Sequence, residues 1–324
     1  MKTLDRSTKG VIPIVPTPFE EDGKISLRSI GALVDYYEGC GAIGLTILGV
    51  MGEAQKLSWQ ETIDCTDEFL RQADGRLPVV VGVTGPSLAA SVELALRSVD
   101  QGAAGVMLQP MTGLREDKAV VAYFREFIGT TAGKVPVCVQ DYPTASGVHL
   151  SLDAWSELSA IPQVFMLKHE PFPGLQKLTA IREAEIAGRA ERVSILTSNN
   201  AMHLPQELER GADGTMVGVA FTDLIVRICD EYRTGNGDFA FDLYDALLPL
   251  VRHENQAQFG LAIRKEILRR RGALRSGFVR YPGATLSSAD HAELDRLLVR
   301  LKRALARADV VFDLEKIRPA ALPV

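Results

Sequence analysis

A primary amine closes the otherwise apolar run Val164-Phe165-Met166-Leu167-Lys168. An ammonium buried without a partner is so costly that such groups find a counter-ion or give up a proton, and a free amine there attacks carbonyls. Lys168 therefore makes the chain a candidate Schiff-base enzyme; the plainer alternative is a lysine that snorkels to the sheet rim or pairs with Glu170. The five histidines, His149, His169, His203, His253 and His291, form no HxH or HxxxH pattern. Cys40, Cys65, Cys138 and Cys229 form no CxxC pair. No metal site, cofactor or disulfide framework is expected, and a reducing cytoplasm fits best.

The elements that must position Lys168 are legible as a repeat. Strands are expected at Val11–Val15, Ile43–Leu48, Pro78–Val83, Gly105–Gln109, Val135–Asp141, Val164–Lys168, Val193–Thr197 and Gly214–Val219. Segments with helical spacing separate them: Leu27–Gly39, Gln60–Ala73, Ala89–Gln101, Lys118–Thr130, Leu152–Ala160, Leu175–Ala187 and Leu204–Arg210. Eight βα units point to an α/β fold, a (β/α)8 TIM barrel, which places its chemistry at the carboxyl ends of the strands. After Val219 the pattern is all-helical: Asp223–Tyr232, Phe239–His253, Gln258–Arg271 and Ser288–Arg307. The expected organisation is a catalytic barrel over residues 1–222, a helical appendix over 223–310 and a tail, loose or strap-like, over 311–324.

Composition agrees with a large soluble enzyme: 324 residues, 46% hydrophobic and 24% charged. A net charge of −5 offers no basic field for nucleic acid or an anionic membrane, and no run approaches a membrane span. The basic stretch Arg264-Lys265-Glu266-Ile267-Leu268-Arg269-Arg270-Arg271 reads as a helix with a solvated face.

Several segments then fall in a recognisable order. They are Pro13-Ile14-Val15-Pro16-Thr17-Pro18-Phe19 with Asp22-Gly23, then Gly49-Val50-Met51-Gly52-Glu53 with Leu57-Ser58 and Glu61, the stretch 136–151, and Gly211-Ala212-Asp213-Gly214. Together they resemble the dihydrodipicolinate synthase / N-acetylneuraminate lyase family, over roughly residues 9–300. Lys168 falls where that family has its Schiff-base lysine. The resemblance implies a metal-independent class I lyase: the amine condenses with the ketone of a small 2-oxo acid, and the iminium acts as an electron sink. A C–C bond can then be cleaved or formed, or a β-hydroxyl expelled as water. It also implies a homotetramer built as a dimer of dimers.

Departures from the family shape the expected site. The place of its proton-relay tyrosine is held by Gln140, with Tyr142 two residues later on the same strand face, so either residue is a candidate for handling protons. Its hydroxyl pair before Gly-Glu is replaced by Val50 and Met51, which leaves carboxylate binding to backbone over Gly49, Val50, Met51, Gly52 and Glu53, with Thr46 or Thr17 as auxiliaries. Glu53 reads equally as a buried structural acid. Gly218, in the eighth strand, joins the substrate-binding set. Met111-Thr112 and Ala145 stand where the synthases carry a tyrosine pair and an arginine, so a second carboxylate loses its fork and aspartate semialdehyde is disfavoured. Asn199 and Asn200 at the seventh-strand mouth suit a polyhydroxylated substrate, or cap the following helix. The late motif Pro249-Leu250-Val251-Arg252-His253-Glu254-Asn255, with Arg275-Ser276 and Val279-Arg280, resembles the branch holding 2-keto-3-deoxy sugar-acid dehydratases. Dehydration or retro-aldol cleavage of such an acid is the leading expectation, with pyruvate–aldehyde condensation or a non-catalytic 2-oxo-acid sensor as alternatives.

Overall fold

The computed structural model describes residues 3–308 and 310, so the tail expected over 311–324 lies outside the described residues. Eight strands, β1 (Gly10–Val11), β2 (Leu45–Ile47), β3 (Val79–Gly82), β4 (Gly105–Leu108), β5 (Val137–Asp141), β6 (Val164–His169), β7 (Ser194–Thr197) and β8 (Gly214–Thr215), pair in parallel in the order β1-β8-β7-β6-β5-β4-β3-β2. An isolated parallel bridge between Ile14 and Thr46, beside the Val15 N–H to Thr46 carbonyl bond of 2.8 Å, joins the chain beyond β1 to β2 and closes the ring. The fold is a (β/α)8 barrel.

The first and last strands are shorter than the sequence indicated. Pro13 and Pro16 have no N–H to give, so pairing beyond Val11 is intermittent rather than a continuous ladder. At the seam Gly10 and Gly214 are directly paired, and a Cβ on Gly214 would lie 1.9 Å from the Gly10 carbonyl oxygen. Only glycine closes the barrel at that approach.

The outer layer is α1 (Ile30–Gly39), α2 (Trp59–Ala73), α3 (Leu88–Asp100), α4 (Asp117–Thr130), the short α5 (Pro143–Ser146), α6 (Leu152–Ser159), α7 (Leu175–Ile186), α8 (Leu204–Glu209) and α9 (Thr222–Arg233). The helix α9 begins at Thr222, the last residue of the expected barrel, and runs into the expected appendix, yet it lies against β1 and buries Leu224, Ile225 and Ile228, so it occupies the eighth place in the ring. Three further helices follow: α10 (Gly237–Glu254) packs onto α9, and α11 (Gly260–Arg270) and α12 (Ser288–Arg307) pack onto α10. No helix among the described residues is long and apolar enough to cross a membrane.

Alternation along the strands sorts the core into two. Outward residues such as Leu45, Ile47, Val79, Val81, Leu167 and Ile195 pack beneath the helices, while Ile12, Ile14, Val80, Met107, Cys138, Met166, Leu196 and Met216 fill the barrel interior. Methionine is frequent inside because its flexible thioether fills an irregular, tapering space.

The basic run on α11 is a correction to the sequence reading. Instead of a solvated face, α11 buries Lys265, Glu266 and Arg270. Their countercharges come from distant segments: Lys265 pairs with Glu53, and Arg270 with Asp295 as well as Glu266. A helix sequence cannot display partners that lie 200 residues away.

Candidate active site

The aim of Lys168 is set by a defect in the sheet. Between β5 and β6, Val137 pairs with Val164 but Cys138 pairs with Met166, which leaves Phe165 as an extra residue. Val164 faces outward, so strict alternation would turn Met166 and Lys168 outward too. The bulge resets the parity. Phe165 and Met166 both enter the interior, and Lys168 follows them to the carboxyl end, opposite Gln140 in register.

There the lysine is only 5% exposed, and its Nζ lies 2.8 Å from Glu170 Oε2. Glu170, two residues on and itself 8% exposed, is the centre of the cluster. Its Oε2 also accepts from Gln140 Nε2 at 3.1 Å, and its Oε1 accepts from Ser198 Oγ at 2.8 Å. Three neighbouring strands thus converge on one carboxylate. The plainer sequence reading, a lysine paired with Glu170, is realised, and it leaves the ammonium no other partner among the described residues.

Tyr142 stands above Gln140 at the start of α5, half-buried. Burial raises its phenol above the ordinary range, the negative charge of Glu170 raises it further, and the Arg264 guanidinium opposes them. The phenol therefore shares the field of the cluster. On the outward side of β6, His169 Nε2–H donates a 2.9 Å bond to the Gly174 carbonyl, and burial pulls the ring down to about 4. It is neutral at physiological pH and turned away from the mouth.

On the facing wall, residues Val50–Gly52 form one 3₁₀ turn between Gly49 and Glu53, the latter in the left-handed region at φ 54°. The first N–H groups of such a turn have no partner within it. Thr17 Oγ1 donates to the Gly52 carbonyl at 2.6 Å, and Thr46 Oγ1 is buried with no partner. Val50 is 67% exposed, whereas Met51 is buried against Gly218, where a Cβ would lie 1.5 Å from its Sδ. Gly218 thus makes room for Met51. Glu53 is fully engaged, by Lys265 at 2.5 Å, Lys56 at 2.9 Å and the Arg280 N–H at 3.0 Å, which ties this turn to α11 and the segment before α12.

Asn199 and Asn200 do not cap α8, whose first turn follows His203. They sit with Ala201 in three consecutive left-handed conformations, φ 48°, 56° and 60°, a costly arrangement for residues other than glycine. The Asn199 amide donates to the Pro171 carbonyl at 2.7 Å, and Asn200 donates to the Val251 carbonyl at 3.0 Å while its Oδ1 accepts from Arg264. Asn200 is thereby bound to protein on both ends of its amide.

The loops after β5 and β6 form an open hollow of about 410 Å³ lined by Pro143, Thr144, His149, Pro171, Phe172 and Pro173. A larger hollow of about 860 Å³ lies at the opposite end, by Gly10, Gly211 and Asp213, where strands β1 and β8 begin. Of the two, the smaller lies on the loops that leave the carboxyl ends of the strands, where barrel chemistry belongs, although Lys168, Gln140, Tyr142 and Glu170 do not line it. No group of three or more His, Cys, Asp or Glu among the described residues could hold a metal ion.

Sequence reasoning named Lys168, Gln140 and Tyr142 and put Ser198 at the seventh-strand mouth, but it treated Glu170 only as a counter-ion, did not foresee the bond from Ser198 to Glu170, and missed Arg264. The signal for Glu170 was present: residues i and i+2 on a strand share a face. Arg264 carried no such signal.

Comparison with known proteins agrees with this architecture. The dihydrodipicolinate synthetase family model matches residues 7–301. An L-2-keto-3-deoxyarabonate dehydratase of Azospirillum brasilense is 32% identical over 302 residues, covering 92% of this chain and 96% of that one. The crystal structure of a dihydrodipicolinate synthase from Rhodopseudomonas palustris superposes with a TM-score of 0.89 at 40% identity, over 93% of this chain and all of the other. A Ruminococcus gnavus sialic acid aldolase, at 20% identity and a TM-score of 0.83 over 93% and 99% of the two chains, shares the fold. With the bulge-directed lysine, the closed barrel and a match along nearly its whole length, the chain belongs to the dihydrodipicolinate synthetase family.

Proposed function

We propose that this chain is a class I lyase that joins Lys168 to a 2-oxo acid as a Schiff base and dehydrates a 2-keto-3-deoxy sugar acid. The observation that carries the reading is the buried Lys168 amine held at the barrel mouth, among the described residues, by Glu170 alone. Glu170 takes a proton from the Lys168 ammonium, freeing Nζ to attack the C2 carbonyl, and passes it to the carbinolamine hydroxyl, whose loss as water leaves an iminium that acidifies the C3 protons. Glu170 takes one of these protons, forming an enamine, and returns it to the C4 hydroxyl as that group leaves as water. Hydrolysis of the iminium frees Lys168 and the product.

Gln140 cannot titrate, so its part is to hold Glu170, as Ser198 does from β7. Tyr142, whose phenol lies in the field of Glu170, is the second candidate for passing protons. The N–H groups of the turn over Gly49, Val50, Met51 and Gly52 receive the C1 carboxylate, Glu53 and Gly218 shape that turn, and Asn199 and Asn200 line the distal side. The 32% identical dehydratase supports dehydration over C–C cleavage. A cytoplasmic location, supported by four buried free cysteines, and a homotetramer are part of the same reading. A panel of 2-keto-3-deoxy acids assayed for both water loss and pyruvate release tests it: dehydrated product, absent with Lys168→Ala, is expected. Pyruvate as the main product, or turnover that survives Lys168→Ala, contradicts it.

A further inference from the structure

The reaction above makes no use of Arg264, although α11 delivers its side chain to the mouth with only 12% exposure. Its Nε donates to Glu254 Oε2 at 3.3 Å, and its Nη2 donates to the Glu254 carbonyl at 2.9 Å and to Asn200 Oδ1. Asn200 lies two residues past Ser198, which is bonded to Glu170, so the guanidinium is docked on the β7 wall of the site. Its charge acts on both Glu170 and Tyr142. The remaining nitrogen, Nη1, has no hydrogen-bond partner among the described residues. Glu254, its one carboxylate partner among them, is fully buried with Oε1 unbonded, and burial pushes it up to about 7. The guanidinium thus keeps a spare N–H, and such a donor favours an anion over a hydroxyl because the hydrogen bond is charge-assisted.

We propose that Arg264 determines specificity by receiving, on Nη1, a second carboxylate at the far end of the substrate, so that the preferred substrate is a 2-keto-3-deoxy sugar diacid. This rests on Lys168 forming the Schiff base. Wild-type protein and Arg264→Gln are treated with borohydride and either pyruvate or a matched pair of six-carbon 2-keto-3-deoxy acids, one ending in a carboxylate and one in a primary alcohol. The concentration that half-saturates adduct formation is read by intact mass. Wild type is expected to need about tenfold less diacid than alcohol. Arg264→Gln is expected to lose that preference while trapping pyruvate, which has no distal end, as wild type does. Equal half-saturation of the two acids by wild type overturns the proposal whether or not the variant folds, as does a preference that survives the substitution. Absence of any adduct, pyruvate included, is instead the signature of a failed Lys168 assignment.

Discussion

Lys168 in the barrel mouth and Lys265 on α11 are both buried and both paired with a glutamate, yet their surroundings differ in what they leave open. Lys265 donates to Glu53 at 2.5 Å and to the Phe278 carbonyl at 2.9 Å, and its third side faces the Phe19 ring at 4.5 Å. An ammonium has three N–H groups, and here all are spent. Burial pulls Lys265 down to about 8, which by itself suits a Schiff-base amine, but no carbonyl carbon can approach it. Lys168 has Glu170 at 2.8 Å and, among the described residues, nothing more. If Lys168 is the nucleophile proposed, the difference teaches that burial and a carboxylate partner do not mark one, whereas unfilled donors at the carboxyl end of a strand do.

The largest effect that could break this comparison is at Lys168. Lys168→Arg keeps the charge beside Glu170 but cannot form an imine, and kcat is expected to fall by at least about 10⁴-fold, checked by product formation at saturating substrate. Next comes Glu170→Gln, which keeps a hydrogen-bonding partner for Gln140 and Ser198 yet removes the base. A loss of about 10²–10⁴-fold in kcat is expected, with pyruvate still trapped on Lys168. Should trapping vanish with turnover, Glu170 is needed to place the amine rather than to move protons.

The contrasting lysine should fail in the other currency. Lys265→Met leaves Glu53 buried with Lys56 and the Arg280 N–H as its partners, so we expect a cost of about 3 kcal/mol in urea unfolding, with kcat within about tenfold below the transition. An inactive but equally stable Lys265→Met protein would erase the distinction between the two lysines.

The smallest effect concerns Glu207 on α8, an acid that, like Lys168, is short of partners. Its Oε2 is buried and unbonded, and burial pushes the group up to about 7 from the ordinary 4.5. A carboxyl raised on folding binds its proton more tightly in the native state, so its contribution to stability is full below about pH 4.5 and is lost as pH rises through 7. Glu207→Gln is expected to flatten the melting temperature between pH 5 and 8, matching wild type at the acid end and exceeding it at the alkaline end. An unchanged slope would mean that Glu207 does not titrate in that window.

How much of this was legible in the sequence follows the range of the interactions. Local periodicity is a short-range property, and it located eight strands, the intervening helices and Lys168 itself. The bulge at Phe165 was invisible, because an inserted residue changes strand parity without changing composition. The α11 charges were misread for a similar reason: Glu53 and Asp295 lie on other segments, and only packing brings them to Lys265 and Arg270. Met51 was recognised as lacking a hydroxyl, but not that it fills the space Gly218 leaves.

The central claim is that Lys168, and not Lys265, is the amine that bonds the substrate. Borohydride reduction with pyruvate, followed by peptide mapping of the modified protein, tests it most directly. A single stable adduct on the peptide bearing Lys168 is predicted, absent in Lys168→Arg and present in Lys265→Met. An adduct on Lys265, or no mass change with pyruvate or any 2-keto-3-deoxy acid, would contradict the account.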